Sequence, residues 1–182
     1  MRRTSFAGLD CSIAQTLEIV GDWWTLMILR DAFQGVRRFE EFQRDLGIAR
    51  NVLTDRLTLL VDHGILDRRP YQTQPPRSEY RLTEKGLELY PVLISLMRWG
   101  DRWATGAGGP PVVLTHKECG HDGLPVMSCP HCGVPVGARD MTFRARPVQL
   151  SAGVSKARRR LGARRTEPGR GKSSIGRAIE NQ

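Results

Sequence analysis

Residues 50–69 read RNVLTDRLTLLVDHGILDRR, and the fold turns on how that stretch is divided. Leu53, Leu57, Leu60 and Val61 fall on one side of a helix of 3.6 residues per turn. Arg50, Asn51, Thr54, Asp55, Arg56 and Thr58 fall outward or on its flanks. Gly64 is a stop signal, so the helix is predicted over 49–63. Ala49 stands where a Ser or Asp cap would be expected. The outer face is either merely solvated, since Arg and Thr are common on any surface, or it touches something.

The flanking segments bear on that choice. Upstream, SIAQTLEIV (12–20) places Ile13, Leu17 and Val20 on one helical face, with Ser12 as the expected N-cap. Asp22 can cap a second helix, WWTLMILRDAF, which is apolar almost all round and is expected to be buried. A very short strand is expected near 37–39. The helix EEFQRDLG follows, with Phe42 and Leu46 on one face and Gly47 as its stop. Downstream, 65–71 and 78–82 are strand-like, and Pro75 and Pro76 hold their connection extended. Thr83 caps a long helix carrying Leu87, Tyr90, Ile94 and Met97. Pro91 should kink or break that helix.

The order helix, helix, short strand, helix, helix, hairpin, helix is that of a winged helix-turn-helix. In that design one helix enters the DNA major groove by its outer face. The fold class expected is therefore mainly α with a small β-hairpin wing. Arg50, Asn51 and Thr54 cluster near the N-terminal end of the recognition helix, with Arg56 beside them. Arg can bond guanine bidentately, Asn adenine, and Thr offers a hydroxyl and a methyl. Arg68, Arg69 and Arg77 of the wing suit phosphates or the minor groove. Asp55 opposes phosphate contact and is expected to pair with a neighbouring Arg.

Residues 11–103 resemble the HxlR family of bacterial winged-helix transcriptional regulators, related in fold to MarR proteins. The resemblance rests on the WTLMILR run (24–30), RRF (37–39), LTDRL (53–57) and YRLTEKG (80–86), in the family's order and spacing. It implies a homodimer on near-palindromic operators, more often a repressor, with dimer contacts from the first and last helices. The sequence itself points the same way. The last helix has more apolar residues, Trp99 and Trp103 among them, than one side of a small domain needs. The resemblance also implies a role for Cys11, because some HxlR-like proteins use a Cys ahead of the first helix to sense oxidants or electrophiles. A helix N-terminus favours a thiolate, whereas Asp10 opposes it. The alternative is a small half-buried residue that packs the first helix.

Charge is unevenly placed. Of the net +9, +7 lies in residues 150–182, with nine Lys/Arg against Glu167 and Glu180. This tail is Arg/Gly/Ser-rich, lacks apolar periodicity and is expected to be disordered. It either solubilises the chain or adds non-specific phosphate contact. Binding by the folded part must rest on local placement, because only +2 remains there. No apolar run approaches the ~18 residues of a membrane span, and no secretory signal is visible. The cytoplasm is the expected location.

HKECGHDGLPVMSCPHCG (116–133) contains two half-sites, His116-x-x-Cys119-Gly and Cys129-x-x-Cys132-Gly. Each places two ligand-type residues three apart and then Gly, the form of a zinc knuckle. Three Cys and one His are a standard structural set for Zn2+, with no position left open for catalysis. His121 is the competing fourth ligand. Reduced free thiols or a disulfide are the alternatives to metal. Long HxlR-like chains often carry a similar extension.

The organisation expected is an N-terminal arm (1–10), a winged DNA-binding and dimerisation domain (11–104), a linker (105–111), a zinc-knuckle segment of zinc-ribbon type (112–148) and the basic tail (149–182). The function expected is sequence-specific regulation of transcription on double-stranded DNA, with a small-molecule or electrophile effector as the control input and no membrane partner. A protein-interaction module built from the same parts is the second reading. An enzyme is disfavoured, because the folded region has no paired carboxylates or His–nucleophile arrangement.

Overall fold

The computed structural model describes residues 5, 6, 8–106, 108–142 and 144. The expected basic tail lies outside the described residues. Among those described, the elements run α1 (Ser12–Val20), α2 (Trp23–Phe33), α3 (Phe39–Leu46), α4 (Arg50–Asp62), β1 (Leu66–Gln72), β2 (Arg77–Leu82), α5 (Glu84–Leu87) and α6 (Tyr90–Trp103). This is the winged helix-turn-helix order, mainly helical with one two-stranded antiparallel sheet. No described helix is long and apolar enough to cross a membrane.

Local chemistry sets most boundaries. The Asp22 carboxylate accepts from the Trp24 N–H at 3.0 Å and so starts α2. At α3, Glu41 reaches back to accept from the Arg38 N–H at 3.0 Å. Gly47 ends that helix in the left-handed region, at φ 61°. Ser12 is not the cap of α1. Cys11 holds that position without a side-chain cap bond, and Ser12 is the first helical residue. Its carbonyl accepts the Thr16 hydroxyl at 2.9 Å. As the sequence implied, Ala49 is the N-cap of α4 and makes no side-chain cap bond.

The core is built by Val20, Ile28, Leu29, Phe42, Ile48, Leu53, Leu57, Leu60, Ile65 and Leu66. It joins α2, α3, α4 and the root of the wing. The expected burial of α2 is incomplete, and α1 also leaves apolar surface exposed. Trp23 of α2 is 76% exposed, and Ile13 of α1 is 71% exposed. Only Ala14 and Val20 of α1 are buried. One small core cannot enclose every apolar side of each helix.

The expected strand near 37–39 is reduced to a single bridge, Arg38 with Glu79, and the Tyr80 N–H donates to the Arg37 carbonyl at 2.8 Å. The wing pairs Leu66 with Leu82 and Arg68 with Tyr80, and a bulge falls between Pro70 and Gln72. The predicted long last helix is two helices. The break falls before Pro91, which occupies the first turn of α6, where an absent N–H leaves nothing unsatisfied.

The junction of α4, wing and α5 is tightly tied. The Thr83 hydroxyl donates to the Gly64 carbonyl at 2.7 Å and accepts from the Gly86 N–H at 3.1 Å. Lys85 Nζ donates to the His63 carbonyl at 2.7 Å, placing a cation at the C-terminal end of α4. A Cβ on Gly86 would stand 2.3 Å from the Ile65 carbonyl oxygen, so no larger residue fits there without movement. Phe33 and Tyr90, with ring centroids 5.2 Å apart, join α2 to α6.

Candidate nucleic-acid interface

The recognition helix is divided as its periodicity requires. Leu53, Leu57 and Leu60 are fully buried, and Arg50, Asn51, Thr54, Asp55 and Thr58 are exposed on the other side. Burial of three leucines fixes the helix axially, since a rotation would expose about 1.5–3 kcal/mol of apolar side chain for each. The polar face is therefore held outward by the core.

Its first turn is further organised. The Arg50 guanidinium lies over the Phe39 ring, 4.9 Å from the centroid, which ties the start of α4 to the start of α3. The Thr54 hydroxyl donates to the Arg50 carbonyl at 2.8 Å, so its proton is engaged and its lone pairs remain to accept. Asn51 is exposed.

Arg56 departs from its expected place among the DNA contacts. Its side chain is only 27% exposed and is drawn towards Asp22, with Nε 3.5 Å from the carboxylate. Nε is buried without a hydrogen-bond partner. Arg56 thus lies against the cap of α2. Asp55, expected to pair with an Arg, makes no salt bridge among the described residues, and it is Asp22 that takes Arg56.

On the wing, Arg68, Arg69 and Arg77 are all exposed. Arg69 Nε bonds Asp67 at 2.8 Å, which aims the guanidinium and offsets part of its charge. The sequence reading passed over Arg38. Its guanidinium stacks over Tyr71 at 5.0 Å, joining α3 to the outer half of the wing, and Arg37 and Arg38 are both exposed. The signal in the sequence is the doubled Arg directly before Phe39. Arg44 of α3 is also exposed, and its hydrogen bond and charge contact with Asp45 raise its pKa.

Comparison with known proteins bears on what such a surface does. The HxlR-like helix-turn-helix family pattern matches residues 19–107. An uncharacterized HTH-type transcriptional regulator of Mycobacterium tuberculosis, strain H37Rv, is 48% identical over 131 residues, covering 72% of this chain and 83% of the relative. The chain belongs to the HxlR family. It is a transcriptional regulator with a helix-turn-helix DNA-binding domain, and the family's members are regulators, not enzymes. A Synechocystis HTH-type regulator is 38% identical over 97 residues, covering 53% of this chain and 72% of its own length. Two solved structures of candidate transcription factors share the fold. PA1607 is 35% identical with a TM-score of 0.69, covering 78% of this chain and 99% of its own. PA1374 from Pseudomonas aeruginosa is 40% identical with a TM-score of 0.56, covering 78% and 96%. The mycobacterial likeness is long enough that, wherever it begins, it passes through His116 and Cys129.

Two further features of this HxlR-family regulator lie away from α4. Cys11 is exposed in the single chain, at the N-cap of α1. In the C-terminal segment, His116 Nδ1 is 3.2 Å from Cys119 Sγ. The backbone N–H of Cys132, then that of His131, and the Cys132 thiol hold the Cys129 thiol below the usual thiol range. Among the described residues, no three His, Cys, Asp or Glu side chains already converge on a common metal position.

Proposed function

We propose that this regulator acts as a homodimeric repressor, reading a near-palindromic operator with the first turns of two α4 helices. The carrying observation is the division of α4, with three leucines sealed in the core and Arg50, Asn51 and Thr54 exposed at its N-terminal end. Those side chains offer a bidentate donor, an amide that can both donate and accept, and a hydroxyl acceptor. That chemistry distinguishes base pairs in the major groove. Arg68, Arg69 and Arg77 then hold phosphates beside the groove and fix register without reading sequence.

The dimer is supported by exposed apolar surface. Ile13 and Leu17 of α1, with Val92, Leu96, Trp99 and Trp103 of α6, are exposed, the last two at 62% and 65%. A second copy would bury these faces isologously. An operator bound in this way lies across the path of polymerase, in the cytoplasm with the chromosome. Control is assigned to an electrophile or other small molecule acting through Cys11, which stands at the head of a helix placed in the dimer contact. The +7 tail adds sequence-independent attraction to phosphate.

Selection from a random duplex library by the full chain, at near-physiological salt, tests the reading. An inverted repeat of fixed half-site spacing is the expected result. Recovery of no motif despite measurable binding would assign affinity to charge alone, and α4 would then be better explained as a docking face for another protein.

A further inference from the structure

The segment beyond the winged domain repeats itself, hydrogen bond for hydrogen bond. In its first half the Gly120 N–H donates to the His116 carbonyl at 2.8 Å, the His116 N–H to the His121 carbonyl at 2.9 Å, and the Gly123 N–H to the Leu114 carbonyl at 2.9 Å. In its second half the Gly133 N–H donates to the Cys129 carbonyl at 2.8 Å, the Cys129 N–H to the Val134 carbonyl at 2.9 Å, and the Val136 N–H to the Met127 carbonyl at 2.9 Å. Each turn is closed by one antiparallel bridge, Thr115 with Asp122 and Ser128 with Pro135. Each turns on a left-handed glycine, Gly120 at φ 70° and Gly133 at φ 71°. At those two positions a side chain would be strained.

The repeat gives a correspondence of positions that spacing alone does not. His116 falls on Cys129, Cys119 on Cys132, and Gly120 on Gly133. His121, the competing ligand, falls on Val134, which has nothing to ligate with. His131 falls on Glu118. Only the pairs His116/Cys119 and Cys129/Cys132 occupy matching places in the two turns. His116 Nδ1 is already turned to Cys119 Sγ.

A second observation is energetic. Among the described residues of 112–142, none is buried. Leu114, Leu124, Cys129 and Val136 are at most half-buried, whereas Val126, Met127 and Val134 are exposed. Two tight turns with regular hydrogen bonds thus have no apolar core to hold them. Very small folded units of this kind are held by disulfides or metal. All four cysteines are free thiols.

We propose that His116, Cys119, Cys129 and Cys132 close around one Zn2+, joining the two turns into a single structural unit. Three thiolates and one imidazole form a closed, borderline-soft tetrahedral set, which suits zinc over magnesium or calcium. Coordination supplies the stabilisation that apolar burial does not, and with four protein ligands the ion takes no part in chemistry.

The test is metal content and cobalt spectroscopy on the full-length chain. After dialysis against metal-free buffer, one Zn2+ should remain per chain. Replacement by Co2+ should give thiolate-to-cobalt charge-transfer bands with the intense visible bands of a tetrahedral site. Cys119→Ser and Cys132→Ser should each weaken binding by more than the ~10–100-fold that loss of a supporting residue costs. His116→Ala should shift the visible bands, and His121→Ala should leave both spectrum and affinity unchanged. Retention of no metal would overturn the proposal. So would two ions per chain, which would mean separate sites, or half an ion, which would mean a site shared between copies. A spectrum altered by His121→Ala and not by His116→Ala would overturn the ligand set.

Discussion

Arg50 and Arg56 share one helix, yet their guanidinium groups do different work. Arg50 is exposed at the head of α4 and rests on Phe39, so it is partly ordered before any DNA arrives. That preordering lowers the entropy lost on contact with a base. Arg50→Ala or Asn51→Ala should therefore cost ~1–3 kcal/mol on the selected operator and relax the preference at one base position. Arg69→Ala, which removes a proposed phosphate contact, should weaken operator and scrambled duplex alike. Titration of each variant against both duplexes decides it, and equal losses from all three substitutions would remove α4 from the groove. Arg56 was not separable from Arg50 in the sequence. Helical periodicity places it on a flank, and only the partner decides which way a flanking side chain turns. That partner, Asp22, lies far away in the chain and also caps α2.

The helices and the hairpin were mostly legible, because each is written locally. Asp22, Gly47, Thr83 and the leucine spacing of α4 all act within a few residues of themselves. What was not legible depends on contacts across the fold. The strand near 37–39 shrank to one bridge because the wing offers Arg38 a single partner, Glu79. The long final helix divided because Pro91 fits the start of a helix better than its middle. Gly86 is the sharpest case. In the sequence it closes the YRLTEKG motif with no physical reason visible, but in the fold the Ile65 carbonyl oxygen occupies the space of its missing Cβ. Gly86→Ala should destabilise by at least the ~1–3 kcal/mol typical of overpacking. Gly100→Ala, in α6 with open space around it, should instead gain roughly 0.5–1 kcal/mol from helix propensity. Urea unfolding of the two variants measures both signs, and loss of stability in each would mean that close approach is not what selects Gly86.

In the molecule as a whole, the apolar surface left uncovered is as informative as the core. Exposed Trp99 and Trp103 follow from a domain too small to enclose every face of its last helix. The double variant Trp99→Asp, Trp103→Asp should sediment as a monomer, keep its helical circular dichroism, and lose most of its operator affinity, because a single half-site binds far more weakly than two. A dimer that survives both substitutions would place the contact elsewhere. The sequence indicated an excess of apolar residues in the last helix. It did not indicate that Ile13 and Trp23 also face outward, because a helix wheel shows which residues share a side and not which side meets the core.

The ties from Thr83 to Gly64 and from Lys85 to His63 have a mechanical meaning. They clamp the far end of α4 to the segment that leads directly into α6. If two copies meet through α6, little in that path can flex, and the distance between their reading heads is set like the gap of a rigid caliper. Such a protein would measure the length of DNA between half-sites as strictly as it reads their letters. One inserted base pair would then be rejected as firmly as a wrong one.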